Sequence, residues 1–257
     1  MTPRSFVLLT VFAAVTLTLM PLQQLFVWFW PGMARRFPMH YHRMICSLLG
    51  IRLRVIGQPP RQGPVLIASN HVSWIDILVL SAIAPLSFIA KREVGRWPFF
   101  GSLARLQRTV FIDRDRRHAT GNARDEMRDR FRAGDILVLF AEGTTGDGRC
   151  ILPFKSAFFG AAEYPGVLVQ PVTLAYTGHH GLPMDRRTRP SYAWYGDMDL
   201  APHLIEAIAT GPIEVTVIFH EALSLSGERT RKHLAVHAEA GVRAGLVSAL
   251  HHPAKMG

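Results

Sequence analysis

Residues 6–30 carry no charged side chain, and they close on an aromatic group of Phe26, Trp28, Phe29 and Trp30. A bilayer span needs about 20 apolar residues, so this run is long enough to cross one. Pro21, Gln23 and Gln24 interrupt it, which leaves two geometries open: a kinked span, or a pair of short helices dipping into one leaflet. A cleaved signal peptide fits less well, because Arg4 is the one early cationic side chain and no small-x-small site closely follows. A buried core helix would not collect Trp and Phe at one end, whereas an interfacial aromatic belt does.

Beyond Trp30 the chain turns basic, with Arg35, Arg36, Arg43, Arg52 and Arg54. The positive-inside rule puts that side in the cytoplasm, which for a bacterial chain means the inner membrane, where cations meet anionic headgroups. His40 and His42 lie among these arginines without a Cys, Asp or Glu beside them, so no metal site is expected. Residues 58–64, rich in Pro, Gly and Gln, read as a punctuated linker. The expected division is therefore a membrane anchor with a basic juxtamembrane segment at 1–57, and a folded domain at 58–257.

Within 58–257, short apolar runs alternate with helical patterns. Strands are expected at 65–68, 86–90, 109–112, 136–140, 167–174, 191–195 and 213–219, with helices at 75–83, 97–106, 115–132, 155–163 and 228–246. This pattern predicts a single α/β domain with a central mixed sheet flanked by helices. The chain has 257 residues, 49% of them hydrophobic, which suffices for one sizeable core. Its 29 Lys and Arg against 19 Asp and Glu give a net charge of +10. That implies an anionic partner, lipid or nucleic acid. The aromatic-rich apolar amino terminus and the lack of a nucleic-acid-binding motif favour lipid. Two cysteines, Cys46 and Cys150, have no companions at metal or redox spacing, and both read as packing residues of a reduced compartment.

The chemistry-bearing stretch is Asn70-His71-Val72-Ser73-Trp74-Ile75-Asp76, between the strand at 65–68 and the helix at 75–83. Ligands of open α/β sheets collect at the carboxyl ends of strands. On one continuous helix, residues five apart point about 140° away from each other. With His71 in the turn and Asp76 in the first helical turn, the chain can fold back and join imidazole to carboxylate, as a general base and its orienting acid require. The same residues also fit a plain helix start, with Ser73 as N-cap and Asp76 as the acid three positions on. A second loop, Glu142-Gly143-Thr144-Thr145-Gly146-Asp147-Gly148, directly follows the strand at 136–140. It fits either a cradle of N–H groups and hydroxyls for an anion or polyol, or an ordinary strand exit.

Taken in order, these segments resemble the 1-acylglycerol-3-phosphate acyltransferases and their glycerolipid acyltransferase relatives. Residues 70–76 are similar to the family's first motif, histidine, four residues, aspartate. Thr109-Val110-Phe111-Ile112-Asp113-Arg114 resembles the second, Phe140-Ala141-Glu142-Gly143-Thr144 the third and Val169-Gln170-Pro171-Val172 the fourth. Lys91 and Trp97-Pro98-Phe99-Phe100-Gly101 resemble the segment between the first two.

The resemblance implies that His71 deprotonates a lysolipid hydroxyl while Asp76 orients the ring. The acyl donor would be a thioester of acyl-carrier protein or coenzyme A, with no cofactor or metal. It places Glu142 and Gly143 at the acceptor, with Thr144 and Thr145 in the same loop, and Lys91 and Arg114 at the headgroup or the donor's phosphates. Two departures stand out: Arg108 where the family has glycine, and Thr145 where it has an arginine that helps bind the acceptor's phosphate. Enzymes acylating lyso-ornithine lipid resemble this chain at 107–114 and 143–155, so both acceptors are expected candidates. An esterase is disfavoured, because the sequence has no Gly-x-Ser-x-Gly elbow. A non-catalytic basic membrane-binding protein is the remaining alternative.

Overall fold

The structure, a computed structural model, describes residues 3–112, 119–224 and 230–251. Helices α1 (Pro3–Phe29) and α2 (Pro31–Leu49) lead into strand β1 (Ile51–Ile56). There follow β2 (Val65–Ser69), α3 (Ile75–Ile83), β3 (Ser87–Lys91), α4 (Phe100–Leu106), β4 (Val110–Ile112), α5 (Ala119–Arg132) and β5 (Ile136–Phe140). The chain continues through β6 (Leu168–His179), β7 (Leu182–Pro183), α6 (Leu200–Thr210), β8 (Ile213–Phe219), β9 (Leu223–Ser224) and α7 (Arg231–His251). Short 3₁₀ turns occupy Arg92–Arg96, Ser156–Glu163 and Arg189–Ser191.

One mixed sheet runs β1-β8-β6-β2-β5-β3-β4, with β7 and β9 pairing with β6. Among the described residues, only the contacts of β6 with β7, β8 and β9 are antiparallel. Central β2 shows why the sheet must be covered on both sides: all five residues are buried, Val65 and Ile67 facing one core and Leu66 and Ala68 the other. The first core takes α2, α3 and α6, and the second takes α5, α7 and the 156–163 turn. Pro171 lies within β6 without breaking it. Its carbonyl accepts the N–H of His220 at 3.0 Å, just past the end of β8, so the missing proline N–H faces the side where β8 has already ended.

The division expected at residue 58 runs through the folded domain. β1 lies at the sheet edge, in parallel register with β8 from Ile51↔Ile213 to Ile56↔Ile218. α2 packs its buried Ala34, Pro38, His42, Ile45, Cys46 and Leu49 inward, largely onto α3. The basic residues had masked a helical stripe at three- and four-residue spacing.

α1 has the reverse polarity of a soluble surface helix. Its buried residues are Ser5, Thr16 and Gln23, whereas Phe6 and Leu17 are about 60% exposed and Trp28 65%. Thr16 meets the Tyr41 hydroxyl at 2.7 Å, and Gln23 Nε2 donates to the carbonyls of Ala34 and Leu106. The helix is docked on α2, α4 and α6 through these polar residues together with Leu8, Leu9, Phe12 and Val15, which pack against the first core, while Phe6, Leu17 and Trp28 face out. It is long and apolar enough to cross a membrane.

Three smaller expectations change. Residues 191–195 form no strand, because the 3₁₀ turn at Arg189–Ser191 leads into them. The helix expected at 97–106 begins only at Phe100, after Phe99 takes a positive φ of 61°. Cys46 is buried, but Cys150 is exposed and is not a packing residue.

Candidate active site

The parallel pairing of β2 and β5 builds the site. Register Ser69↔Phe140 ends both strands side by side, so the loops that follow must run together. Ala141 N–H donates to the Ser69 carbonyl at 3.0 Å and Gly146 N–H to the His71 carbonyl at 2.8 Å. On the other flank of β2, β6 continues past Ser69↔Val172. There the Asn70 side chain bonds both ways with the Leu174 backbone, at 2.8 and 3.0 Å. The two chemistry-bearing loops are therefore set by sheet register.

His71 and Asp76 meet. His71 Nδ1 lies 2.8 Å from Asp76 Oδ2. That oxygen also accepts the N–H groups of Val72 at 2.7 Å and Ser73 at 2.9 Å. Asp76 thus closes the turn and orients the ring with one oxygen, so its place at the helix start and its bond to the imidazole coexist, but Ser73 is not the N-cap: that position falls on Trp74, with no side-chain cap bond. Its Oδ1 accepts the Tyr176 hydroxyl at 2.8 Å. The aspartate side chain is fully buried, while His71 retains 16% exposure. A carboxylate bonded through one face of an imidazole leaves the opposite nitrogen, Nε2, as the group available to a substrate.

The imidazole lies flat on Phe140, centroids 3.7 Å apart and planes within 7°. Sequence reasoning missed both Phe140 and Tyr176 as site residues. Phe140 ends an apolar strand and reads as core, and Tyr176 stands a hundred positions from Asp76 along the chain.

Glu142 reaches the site, but it faces backbone. Oε2 accepts the His71 N–H at 2.9 Å and Oε1 the Leu152 N–H at 2.8 Å. Through these two bonds Glu142 positions the histidine loop. Burial pushes this carboxyl up to about 7, against the opposing pull of those two N–H bonds. Burial and the neighbouring Asp76 raise Tyr176 well above its ordinary value, keeping its proton on the phenol. Gly143 has φ +74°, and a Cβ there would stand 2.8 Å from the Phe158 ring and 3.0 Å from Lys155 Nζ, so both conformation and space require glycine.

A cavity of about 450 Å³ opens onto His71. Lys91, Gly143, Thr144 and Thr145 line it, as do Trp97 and Trp194, whose rings meet edge to face at 5.9 Å. The rest of the wall is mainly apolar and comes from α1 to α4, including Phe12, Leu19, Met20, Ile77, Leu78 and Leu103. Sequence reasoning placed the amino-terminal helix at the membrane but not at the site. Arg114 lies outside the described residues.

Residues 52–175 match the family described as Acyltransferase. The chain is 47% identical to a lyso-ornithine lipid O-acyltransferase of Brucella abortus, over 97% of this chain and 96% of that protein. It is 33% identical to a 1-acyl-sn-glycerol-3-phosphate acyltransferase of Neisseria meningitidis, over 83% of this chain and 82% of that protein. The fold is similar to the crystal structure of a 1-acyl-sn-glycerophosphate acyltransferase from Thermotoga maritima, with a TM-score of 0.68 and 21% identity, covering 96% of this chain and 97% of the other. With a histidine held by a buried aspartate at the cavity wall, and with relatives of this identity along nearly its whole length, the chain belongs to the acyltransferase family and is an acyltransferase of lipid biosynthesis.

Proposed function

We propose that the chain moves an acyl group from a thioester of acyl-carrier protein or coenzyme A to the free hydroxyl of a lysolipid, with lyso-ornithine lipid as the favoured acceptor. The observation that carries the mechanism is the 2.8 Å bond between His71 Nδ1 and Asp76 Oδ2 beside an apolar cavity. His71 Nε2 takes the hydroxyl proton, and the lipid oxygen attacks the thioester carbonyl. The tetrahedral intermediate then expels the thiolate, which recovers the proton from the imidazolium. Asp76 keeps the ring oriented and offsets its transient charge. No serine or cysteine nucleophile enters the sequence of steps.

The acceptor reading rests on two observations. The identity to the Brucella relative is 47%, against 33% for the Neisseria relative. The cavity also presents the neutral Thr145 where the resemblance leads one to expect an arginine. An arginine fork binds two oxygens of a phosphate monoester at once, and a single hydroxyl does not. Lys91 on the same wall favours the second reading, 1-acylglycerol-3-phosphate, because it supplies a cation for phosphate.

The outward apolar face of α1 supports a site held at a membrane surface, where both acyl chains reside. The basic residues after it support the cytoplasmic side. Membranes containing the full-length chain, supplied with labelled acyl thioester and both lysolipids side by side, test the reading. It predicts preferential acylation of lyso-ornithine lipid, and acylation of neither lysolipid contradicts it.

A further inference from the structure

Two turns beyond the carboxyl ends of β5 and β6 carry a basic patch that the acyl-transfer steps do not use. Residues 147–149 and 185–189 together hold four arginines, Arg149, Arg186, Arg187 and Arg189, against two aspartates. Both aspartates are folded back onto their own turns. Asp147 Oδ1 accepts the Arg149 N–H at 2.9 Å, and Asp185 Oδ1 accepts the N–H groups of Arg187 at 2.9 Å and Thr188 at 2.6 Å. Arg149 Nη2 donates to the Arg186 carbonyl at 3.0 Å and so joins the two turns. Arg189 is buried and anchors the second turn, donating to the carbonyls of Tyr176 at 3.2 Å and Met184 at 3.1 Å. Burial lowers its pKa, and the positive charges of Arg149 and Arg186 lower it further, which sets these three guanidinium groups close together. Arg186 and Arg187 are exposed, and their side chains make no hydrogen bond or ion pair among the described residues.

The patch adjoins the catalytic loop. Between Thr145, on the cavity wall, and Arg149, the chain passes His71, whose carbonyl accepts the Gly146 N–H at 2.8 Å. A Cβ at Gly148 would stand 3.1 Å from Val72 Cγ1 and 3.3 Å from Arg189 Cδ. From the second turn the chain runs on to Trp194, also on the cavity wall, whose N–H donates to the Val72 carbonyl at 2.8 Å. Both basic turns are therefore tied to the residues that flank the general base.

We propose that this patch docks the acidic face of a carrier protein that brings the acyl thioester to His71. The inference rests on the proposed function and assigns this surface to the protein-borne donor. Three features favour a protein over an anionic membrane. The cations are all arginines, which protein interfaces concentrate while they deplete lysine. The hairpin that leads into the second turn leaves Leu182 70% exposed, an apolar neighbour for a protein to cover. The exposed apolar residues suited to a bilayer, Phe6, Leu17 and Trp28, belong to α1 and not to these turns. None of the four arginines lines the cavity, as suits charges that steer a partner's approach rather than hold the reacting groups.

The test compares palmitoyl thioesters of acyl-carrier protein and of coenzyme A in membranes containing the full-length chain, with one acceptor held fixed. Arg186→Glu combined with Arg187→Glu should lower kcat/KM for the carrier-borne donor by about tenfold, mainly through KM, and flatten its dependence on salt. Transfer from coenzyme A should stay near wild type, which reports an intact fold and site. Arg61→Glu combined with Arg132→Glu makes the same change of charge on exposed residues ahead of β2 and β5, and should leave both donors unchanged. Binding of labelled holo-acyl-carrier protein to the same membranes follows docking without turnover, and it should weaken in the first pair alone. Where coenzyme A is not accepted as a donor, that binding carries the same comparison. Equal losses with both donors overturn the proposal, as does carrier binding that the first pair leaves unchanged. Loss of attachment to anionic vesicles in that pair, with carrier binding intact, would assign the patch to lipid instead. Absence of transfer from every donor in a wild-type chain that still binds the carrier would contradict the proposed function and not the docking.

Discussion

Tyr176 donates its hydroxyl to Asp76 Oδ1 at 2.8 Å, while Asp76 Oδ2 gathers His71 Nδ1 and two backbone N–H groups. Every oxygen of a fully buried carboxylate is thus engaged, and the strand that carries Tyr176 is tied to the loop that carries His71. Tyr176→Phe removes one of these bonds without changing the volume of the ring. A buried oxygen without its partner costs about 1 to 3 kcal/mol. We expect a lower melting temperature and slower acyl transfer, with the change in kcat rather than in the acceptor's KM. Steady-state kinetics beside thermal melts checks this, and unchanged values on both counts would remove the role assigned to Tyr176.

Glu142 gives a pH signature. Its carboxyl titrates near 7 in the fold against an ordinary value of 4.5. The folded state therefore binds more protons than the unfolded state between these values. This contribution to stability is full below 4.5 and is lost as pH rises through about 7. Glu142→Gln removes the titration and also sets an NH₂ against a backbone N–H. The variant should be less stable at pH 5, with the difference from wild type narrowing toward pH 8. Melting curves across that range measure it, and a difference that widens with pH contradicts the assignment.

The stack of His71 on Phe140 holds the ring that Asp76 orients. Phe140→Leu keeps an apolar strand end but removes the flat surface. Aromatic pairs contribute about 0.5 to 1.5 kcal/mol beyond burial, so acyl transfer should fall several-fold with little loss of fold. Activity per folded protein, set against circular dichroism, is the check.

On the proposed function, the acceptor preference turns on Thr145. Thr145→Arg places a fork at a wall shared with His71 and Lys91. Hydrogen bonds to charged groups contribute about 1.5 to 3 kcal/mol. The ratio of activity on 1-acylglycerol-3-phosphate to that on lyso-ornithine lipid should therefore rise by about one to two powers of ten. An unchanged ratio in a folded variant shows that this position does not face the headgroup.

Truncation separates the roles of the two amino-terminal helices. A chain starting at Pro31 keeps α2 and β1 but loses the α1 wall of the cavity, and it should fold yet transfer poorly. A chain starting at Gln58 loses β1 from the sheet and α2 from α3, and it should not fold. Vesicle flotation with circular dichroism distinguishes the two outcomes.

Much of the fold was readable wherever a single period ruled the residues. The strands at 136–140 and 213–219 and the helix at 75–83 fall on the expected residues, because burial on a sheet face or a helix stripe decides them. The missed elements have mixed signals. α2 hides its stripe among arginines and histidines, and β1 alternates Arg52 and Arg54 with apolar residues, as an edge strand half open to water does. At the site, His71 and Asp76 were legible because local spacing joins them. Tyr176 and the two backbone partners of Glu142 were not, because sheet register joins them and no local pattern encodes which strand lies beside β2. The α1 wall was hidden for a different reason. An apolar run declares its affinity for lipid, while the side it turns inward is marked by three buried polar residues, Ser5, Thr16 and Gln23, that count against a span when composition alone is read.

The most direct test of the account is acyl transfer by His71→Ala in the full-length, membrane-bound chain, beside wild type, with folding checked by thermal melts. Loss of a positioned general base typically costs about 10²- to 10⁴-fold, and the account predicts a loss in that range for both acceptors, since the same nitrogen serves either hydroxyl. Turnover within a few-fold of wild type in a folded His71→Ala chain would contradict it.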